Sequence, residues 1–133
     1  MRPCVLLIKL FILVAVATLV YLIPSRHYYI NAQEPITLEE YIEETIRATF
    51  HEEPNVALDI ARCESELNPE ALNDVAPDYS VGIFQVNIHG ELSKTRPSEE
   101  WLKDPDNNIR YARELYDEVG WSAWSCYKKV TLK

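Results

Sequence analysis

Hydrophobic and polar positions change rhythm three times along this chain. From Cys4 to Ile23 the residues are apolar, apart from Lys9 and Thr18, with no period. From Ser25 to Pro35 polar and aromatic residues mix, including His27, Tyr28 and Tyr29. A helical period then sets in. Thr37-Leu38-Glu39-Glu40 has the form of a capping box, and Leu38, Tyr41, Ile42, Ile46 and Phe50 share one face of the predicted first helix. Pro54-Asn55 opens a second helix, from about Val56 to Glu64 or Ser65, and Pro69 cannot continue it. Asn73 to Tyr79 holds the turn formers Asp74, Pro77 and Asp78, and Val81 to Asn87, with Ile83 and Val86, reads as a short hairpin or irregular strand. Ile88 to Pro97 reads as loop, and Ser98 to Leu102 as one helical turn. Asp104 caps a further helix with Pro105 at its first position, the stripe Ile109, Ala112, Tyr116, Val119 follows, and Gly120 ends it. Trp121 to Tyr127 reads as a last short helix, with Lys128 and Lys129 suited to its carboxyl end.

This pattern predicts a mainly α domain at 37–133, preceded by a leader at 1–24 and a linker at 25–36. The leader is long enough to cross a bilayer through residues 4–23 if Lys9 snorkels to the head groups. Its uninterrupted part, Leu10 to Ile23, also fits a signal-peptide core. Ala15-Val16-Ala17 lies inside the apolar run and Ala32 well beyond it, so no small-x-small cleavage site follows, which favours a retained anchor. Both readings place the domain outside the cytoplasm, membrane-anchored or secreted.

Charge and cysteine refine the picture. All 21 acidic residues follow Gln33, against 10 of the 13 basic ones, so that part of the chain carries a net −11. Nucleic-acid binding, which needs clustered Lys and Arg on phosphates, is excluded by that balance. In an oxidising compartment Cys63 and Cys126 can pair, in preference to two free buried thiols, and would join the second helix to the last. Closing so long a loop is worth roughly 4 kcal/mol on the chain-entropy model. His51, His89 and these cysteines lack the compact spacing of a metal site, so no metal is expected.

The second helix carries the candidate chemistry. Ala57, Ile60 and Ala61 recur at helical spacing, and the next position on that stripe is Glu64. Glu66, about 200° further around, faces water. Desolvation disfavours the charged form of Glu64 and raises its pKa, which is what a general acid needs near neutral pH.

Cys63-Glu64-Ser65-Glu66-Leu67-Asn68-Pro69-Glu70-Ala71 resembles the catalytic segment of the lysozyme-like superfamily, and most closely of its lytic transglycosylases. Gly82-Ile83-Phe84-Gln85-Val86-Asn87 resembles that family's second motif. The resemblance implies a lysozyme-like fold, several short helices around a catalytic helix and a small β-hairpin. It implies cleavage, without cofactor, of the β-1,4 bond between N-acetylmuramic acid and N-acetylglucosamine in peptidoglycan. Glu64 would be the acid and then the base. Ser65, Gln85, Asn87 and Tyr127 fall at substrate-contacting positions, with Gln85 and Asn87 suited to N-acetyl or hydroxyl groups.

Two departures matter. Chicken-type lysozymes have an Asp five residues before the Gln, and here that position is Ser80, with Asp78 and Asp74 displaced. This favours transglycosylation over hydrolysis and leaves Asp78 as the candidate second carboxylate. The third motif, Ala-Tyr-Asn-x-Gly, meets Ser125-Cys126-Tyr127-Lys128-Lys129 here, which weighs against a catalytic Tyr127 and keeps open a wall-binding module without turnover. Trp121 and Trp124 fit core positions better than sugar-stacking ones, Tyr79 fits either, and His89 reads as solvated loop.

Overall fold

Thr37 starts the first helix as predicted. In the computed structural model, which describes residues 35–132, its hydroxyl accepts the Glu40 N–H while the Glu40 carboxylate accepts the Thr37 N–H at 2.8 Å. Helix α1 (Leu38–Thr49) buries Ile42 and Ile46, with Phe50 just beyond its end. Leu38 and Tyr41, expected on the same face, lie exposed, and the Tyr41 hydroxyl instead donates to Asp106 at 2.7 Å. Helix α2 (Pro54–Ser65) has Pro54 in its first turn and buries Ala57, Leu58, Ile60 and Ala61. After it come three two-residue strands, β1 (Leu72–Asn73), β2 (Ser80–Val81) and β3 (Val86–Asn87). They form an antiparallel sheet in the order β1-β2-β3, with Leu72 opposite Val81 and Ser80 opposite Asn87.

The expected hairpin therefore gains a third strand from a segment that carries only turn signals. The expected loop at 88–97 contains a 3-10 turn, Gly90–Lys94. Helices α3 (Glu99–Leu102) and α4 (Pro105–Val119) follow, the second capped by Asp104 as read from the sequence, while Ser98, expected inside the first, caps it instead. On α4, Ile109 and Ala112 are buried, but Val119 at the end of the stripe is exposed. Gly120, at φ 63°, closes this helix.

The expected last helix is split. Gly120–Ala123 is a 3-10 turn, Trp124 is extended, and α5 (Cys126–Thr131) begins after it. The cause is the Trp124 indole, which is buried and donates to the Phe84 carbonyl at 2.8 Å, so the backbone opens to reach it.

The core joins α1, α2, α4 and α5 through Ile46, Ile60, Ile109 and Cys126, around Phe50, Phe84, Trp121 and Trp124. Phe50, Phe84, Trp121 and Trp124 pack with ring centroids 5.3–5.7 Å apart. A smaller cluster of Val81, Val86 and Leu102 backs the sheet. The architecture is the mainly helical, lysozyme-like one expected, with a minor sheet beside the central helix. Among the described residues no helix is long and apolar enough to cross a membrane; the leader and most of the linker lie outside them.

Candidate active site

Glu64 sits in the last turn of α2, where the helix leaves the core. The turn stops because Glu66 takes a left-handed conformation, φ 56°, with its N–H on the Arg62 carbonyl. Leu67 also has positive φ and buries its side chain, while Glu66 is exposed as expected. Ser65 does not line the cleft described below. Its hydroxyl donates to the Ile83 carbonyl at 2.7 Å and ties the end of α2 to the β2–β3 turn.

That turn is built around Gly82, whose φ is +76°. A Cβ there would lie 2.2 Å from Asn108 Nδ2 and 2.5 Å from the Leu102 carbonyl oxygen, so only glycine fits. Asn108, on α4, is fully buried. Its amide donates to Val81 O at 3.0 Å and Leu102 O at 2.8 Å and accepts the Phe84 N–H at 2.8 Å. One side chain thus satisfies three backbone groups that burial would otherwise leave unpaired. With the turn held there, Ile83 and Phe84 point into the core. Gln85 is held at φ 45°, an uncommon conformation for a residue with a Cβ.

Between these parts lies a cleft of about 440 Å³. Glu64 borders it from α2, Asn73, Ser80 and Asn87 from the sheet, Asp78 and Gln85 from the adjoining turns, and Ala123, Trp124 and Ser125 from the segment before α5. The wall is rich in amide, hydroxyl and carboxyl groups, which suits a ligand dense in hydroxyl and amide groups.

Glu64 is half-buried, and its Oε1 accepts the backbone N–H of Cys126 at 3.1 Å. Burial pushes its pKa above the ordinary carboxylate value; the Cys126 N–H and the charge of Lys129 oppose that rise without cancelling it. The Cys63–Cys126 disulfide is formed, so the residue before Glu64 is covalently joined to the residue whose N–H holds it.

The other sequence candidates divide. Gln85 and Asn87 line the cleft, but their amides are partly committed. Gln85 Nε2 donates to Gly82 O at 2.9 Å and Ala71 O at 3.2 Å, which leaves its carbonyl oxygen without a partner among the described residues. Asn87 donates to Asp78 Oδ1 at 3.0 Å and accepts the His89 N–H at 2.8 Å. Asp78 is exposed and shares the cleft with Glu64. Tyr127 is half-buried against the core, stacked on Trp121 at 6.5 Å, and is not among the cleft-lining residues. Trp124 is core, as expected, and also cleft wall. Tyr79 donates to Glu99 at 2.5 Å and packs on the sheet cluster, and His89 is exposed.

Sequence reasoning missed Asn108, Asn73, Ser80 and Ser125. Asn108 left one trace, an amide directly beside the apolar stripe of α4. Ser80 stands out only as the residue in place of the lysozyme Asp, and Asn73 and Ser125 carry no local signal, because the three meet only when the sheet and the segment before α5 close on the end of α2.

Among known protein families, the Transglycosylase SLT domain matches residues 41–125. No curated protein and no solved structure matches the chain.

Proposed function

Because this chain belongs to the transglycosylase SLT domain family, we propose that it is an extracytoplasmic lytic transglycosylase that cleaves the β-1,4 bond between N-acetylmuramic acid and N-acetylglucosamine in peptidoglycan. The observation that carries this reading is the half-buried Glu64, its pKa raised by burial, at the wall of an open polar cleft.

In the first step protonated Glu64 gives its proton to the glycosidic oxygen as the C1–O bond of the muramic acid breaks. The charge that develops at C1 lies beside the carboxylate that remains, held by the Cys126 N–H. In the second step that carboxylate takes the proton of the same sugar's C6 hydroxyl, and the oxygen closes on C1. The proton returns to Glu64, a 1,6-anhydro ring forms, and no water is consumed. No step needs a cofactor. The disulfide fits the oxidising compartment in which the polymer is found, and residues 4–23 supply the route there.

Hydrolysis of the same bond is the second reading, favoured by Asp78, a carboxylate on the same cleft that is positioned by Asn87. There Asp78 would orient a water in place of the C6 hydroxyl. Mass spectrometry of digested peptidoglycan separates the two. Anhydro ends are expected; reducing ends would transfer the role to hydrolysis. Glu64→Gln is expected to lower turnover by about 10²- to 10⁴-fold, the usual contribution of a positioned acid–base group. A parent chain that sediments with peptidoglycan yet releases nothing, with Glu64→Gln indistinguishable from it, would leave a binding module.

A further inference from the structure

Helix α3 is a single turn, yet it is bonded to the sheet wall of the cleft at two places. At its end the Leu102 side chain is fully buried with Val81 and Val86, and the Leu102 carbonyl accepts the amide of Asn108, the side chain that shapes the turn carrying Gln85. At its start Glu99 accepts the Tyr79 hydroxyl at 2.5 Å. Lys103, just past the helix, closes on the same carboxylate at 2.9 Å and reaches Glu70, in the segment before β1, at 3.7 Å. One small network therefore ties α3 to the stretches on either side of β1.

Tyr79 is placed to brace the wall. Its neighbours Asp78 and Ser80 both line the cleft, while its own ring packs with the sheet cluster and carries the hydroxyl to Glu99. Its carbonyl accepts the Ile88 N–H at 2.7 Å, which extends the pairing of Ser80 with Asn87, and Asn87 donates in turn to Asp78. Asp78, Ser80 and Asn87 form one bonded unit, and its far side is fixed at Glu99. Strands of two residues supply few ladder bonds, so a sheet this small takes its shape from what it packs on. A hydrogen bond to an ionised carboxylate is a strong brace. Lys103 and then Tyr79 hold the Glu99 carboxyl below its usual pKa, and Glu99 raises those of Lys103 and Tyr79, so all three keep one protonation pattern through the neutral range.

We propose that Tyr79 and Glu99 are positioning residues for glycan capture: through them α3 holds Asp78, Ser80 and Asn87 in the geometry that receives the sugar. The proposal rests on the glycan-cleaving reading for its substrate. It divides the labour of the two walls. The ends of α2 and α5 present the acid, and the sheet, braced by α3, presents the binding groups. Loosening the brace weakens binding and leaves the chemistry at Glu64 as it is.

The test compares the parent with Tyr79→Phe, which keeps the ring and removes the hydroxyl, with Glu99→Gln, and with Glu100→Gln, the same charge change one residue on at an exposed position. KM and kcat are measured on soluble peptidoglycan fragments, and the dissociation constant of the same fragments is measured for each substitution in a Glu64→Gln chain. Tyr79→Phe and Glu99→Gln are each expected to raise KM and the dissociation constant about three- to tenfold with kcat within about twofold, the upper end being the usual weight of one charge-assisted hydrogen bond. Combining them is expected to add little to Glu99→Gln alone, because the two residues share one bond. Charge alone predicts the opposite sign, since removing a carboxylate from an acidic domain eases the approach of an anionic polymer. Glu100→Gln reads that effect and is expected to leave KM unchanged or lower. Unchanged KM and dissociation constant in Tyr79→Phe and Glu99→Gln, whatever their unfolding midpoints, would overturn the proposal and leave the network a structural one. A fall in kcat as large as the rise in KM would overturn it too. A parent that binds the fragments without cleaving them would sink the glycosidase reading, while the dissociation constants would still decide the role of the brace.

Discussion

At Glu64 two opposing effects are set against each other within one side chain. Burial favours the neutral acid, and the Cys126 N–H favours the carboxylate that must exist between the two proposed steps. The balance has a consequence for stability that does not depend on catalysis. A carboxyl whose pKa rises on folding contributes stability fully below its unfolded value, near 4.5, and loses that contribution as pH rises through the folded value, because over that window the native state holds the proton and the unfolded state does not. Glu64→Gln keeps an oxygen for the Cys126 N–H but cannot ionise. The variant is therefore expected to gain stability relative to the parent as pH rises from about 4, and to hold the gain once Glu64 is ionised in both states. Denaturant midpoints at several pH values check it, since every other carboxylate cancels in the comparison; a difference independent of pH would mean that Glu64 titrates as an ordinary surface group. Gln85 shows the same economy on the backbone. Its positive φ is retained because its side-chain amide is tied to Gly82 and Ala71.

Among the elements, α2 and α5 are joined covalently as well as by packing, and the join passes through the site. The Cys63–Cys126 bond spans 63 positions in sequence. Opening it by a Cys63→Ala, Cys126→Ala double substitution is expected to lower stability by roughly 2–4 kcal/mol, measured by chemical unfolding. It is also expected to lower kcat under conditions where the variant is fully folded, because the N–H that holds Glu64 sits at the start of the freed helix. Unchanged turnover would show that the packing of Trp121 and Trp124 alone fixes that geometry. The legibility of these elements in the sequence follows their physics. Helix starts at Thr37, Pro54, Ser98 and Asp104 and the stop at Gly120 are set by local bonds and backbone preference, so they could be read from neighbours along the chain. Strand β1, the 3-10 turn at Gly90 and the break at Trp124 are set by partners far away in sequence, such as Val81 for Leu72 and the Phe84 carbonyl for Trp124. The site divides in the same way. Glu64 and Gln85 stand out by position on a stripe or in a motif, whereas Asn108, which shapes the turn that carries Gln85, acts through bonds that only the folded chain displays. Ser65 and Tyr127 were legible as motif positions, and their side chains are occupied with a backbone bond and with Trp121.

For the molecule as a whole, charge opposes the proposed partner. The chain after Gln33 carries a net −11, and peptidoglycan bears carboxylates on its peptides, so the long-range field repels substrate while the contacts in the cleft attract it. The two act over different distances and respond differently to salt. Raising ionic strength from 0.01 M to 0.15 M shortens the screening length from about 30 Å to about 8 Å, which removes most of the repulsion between dispersed surface carboxylates and the polymer. A half-buried contact within the cleft is screened less. The apparent KM for soluble peptidoglycan fragments is therefore expected to fall as salt is raised over this range and to rise again only when the short-range contacts are themselves screened, near 1 M. A basic wall-binding protein would show the opposite slope from the start. A KM that climbs steadily from 0.01 M would mean that a local cationic patch, and not the overall acidity, governs capture.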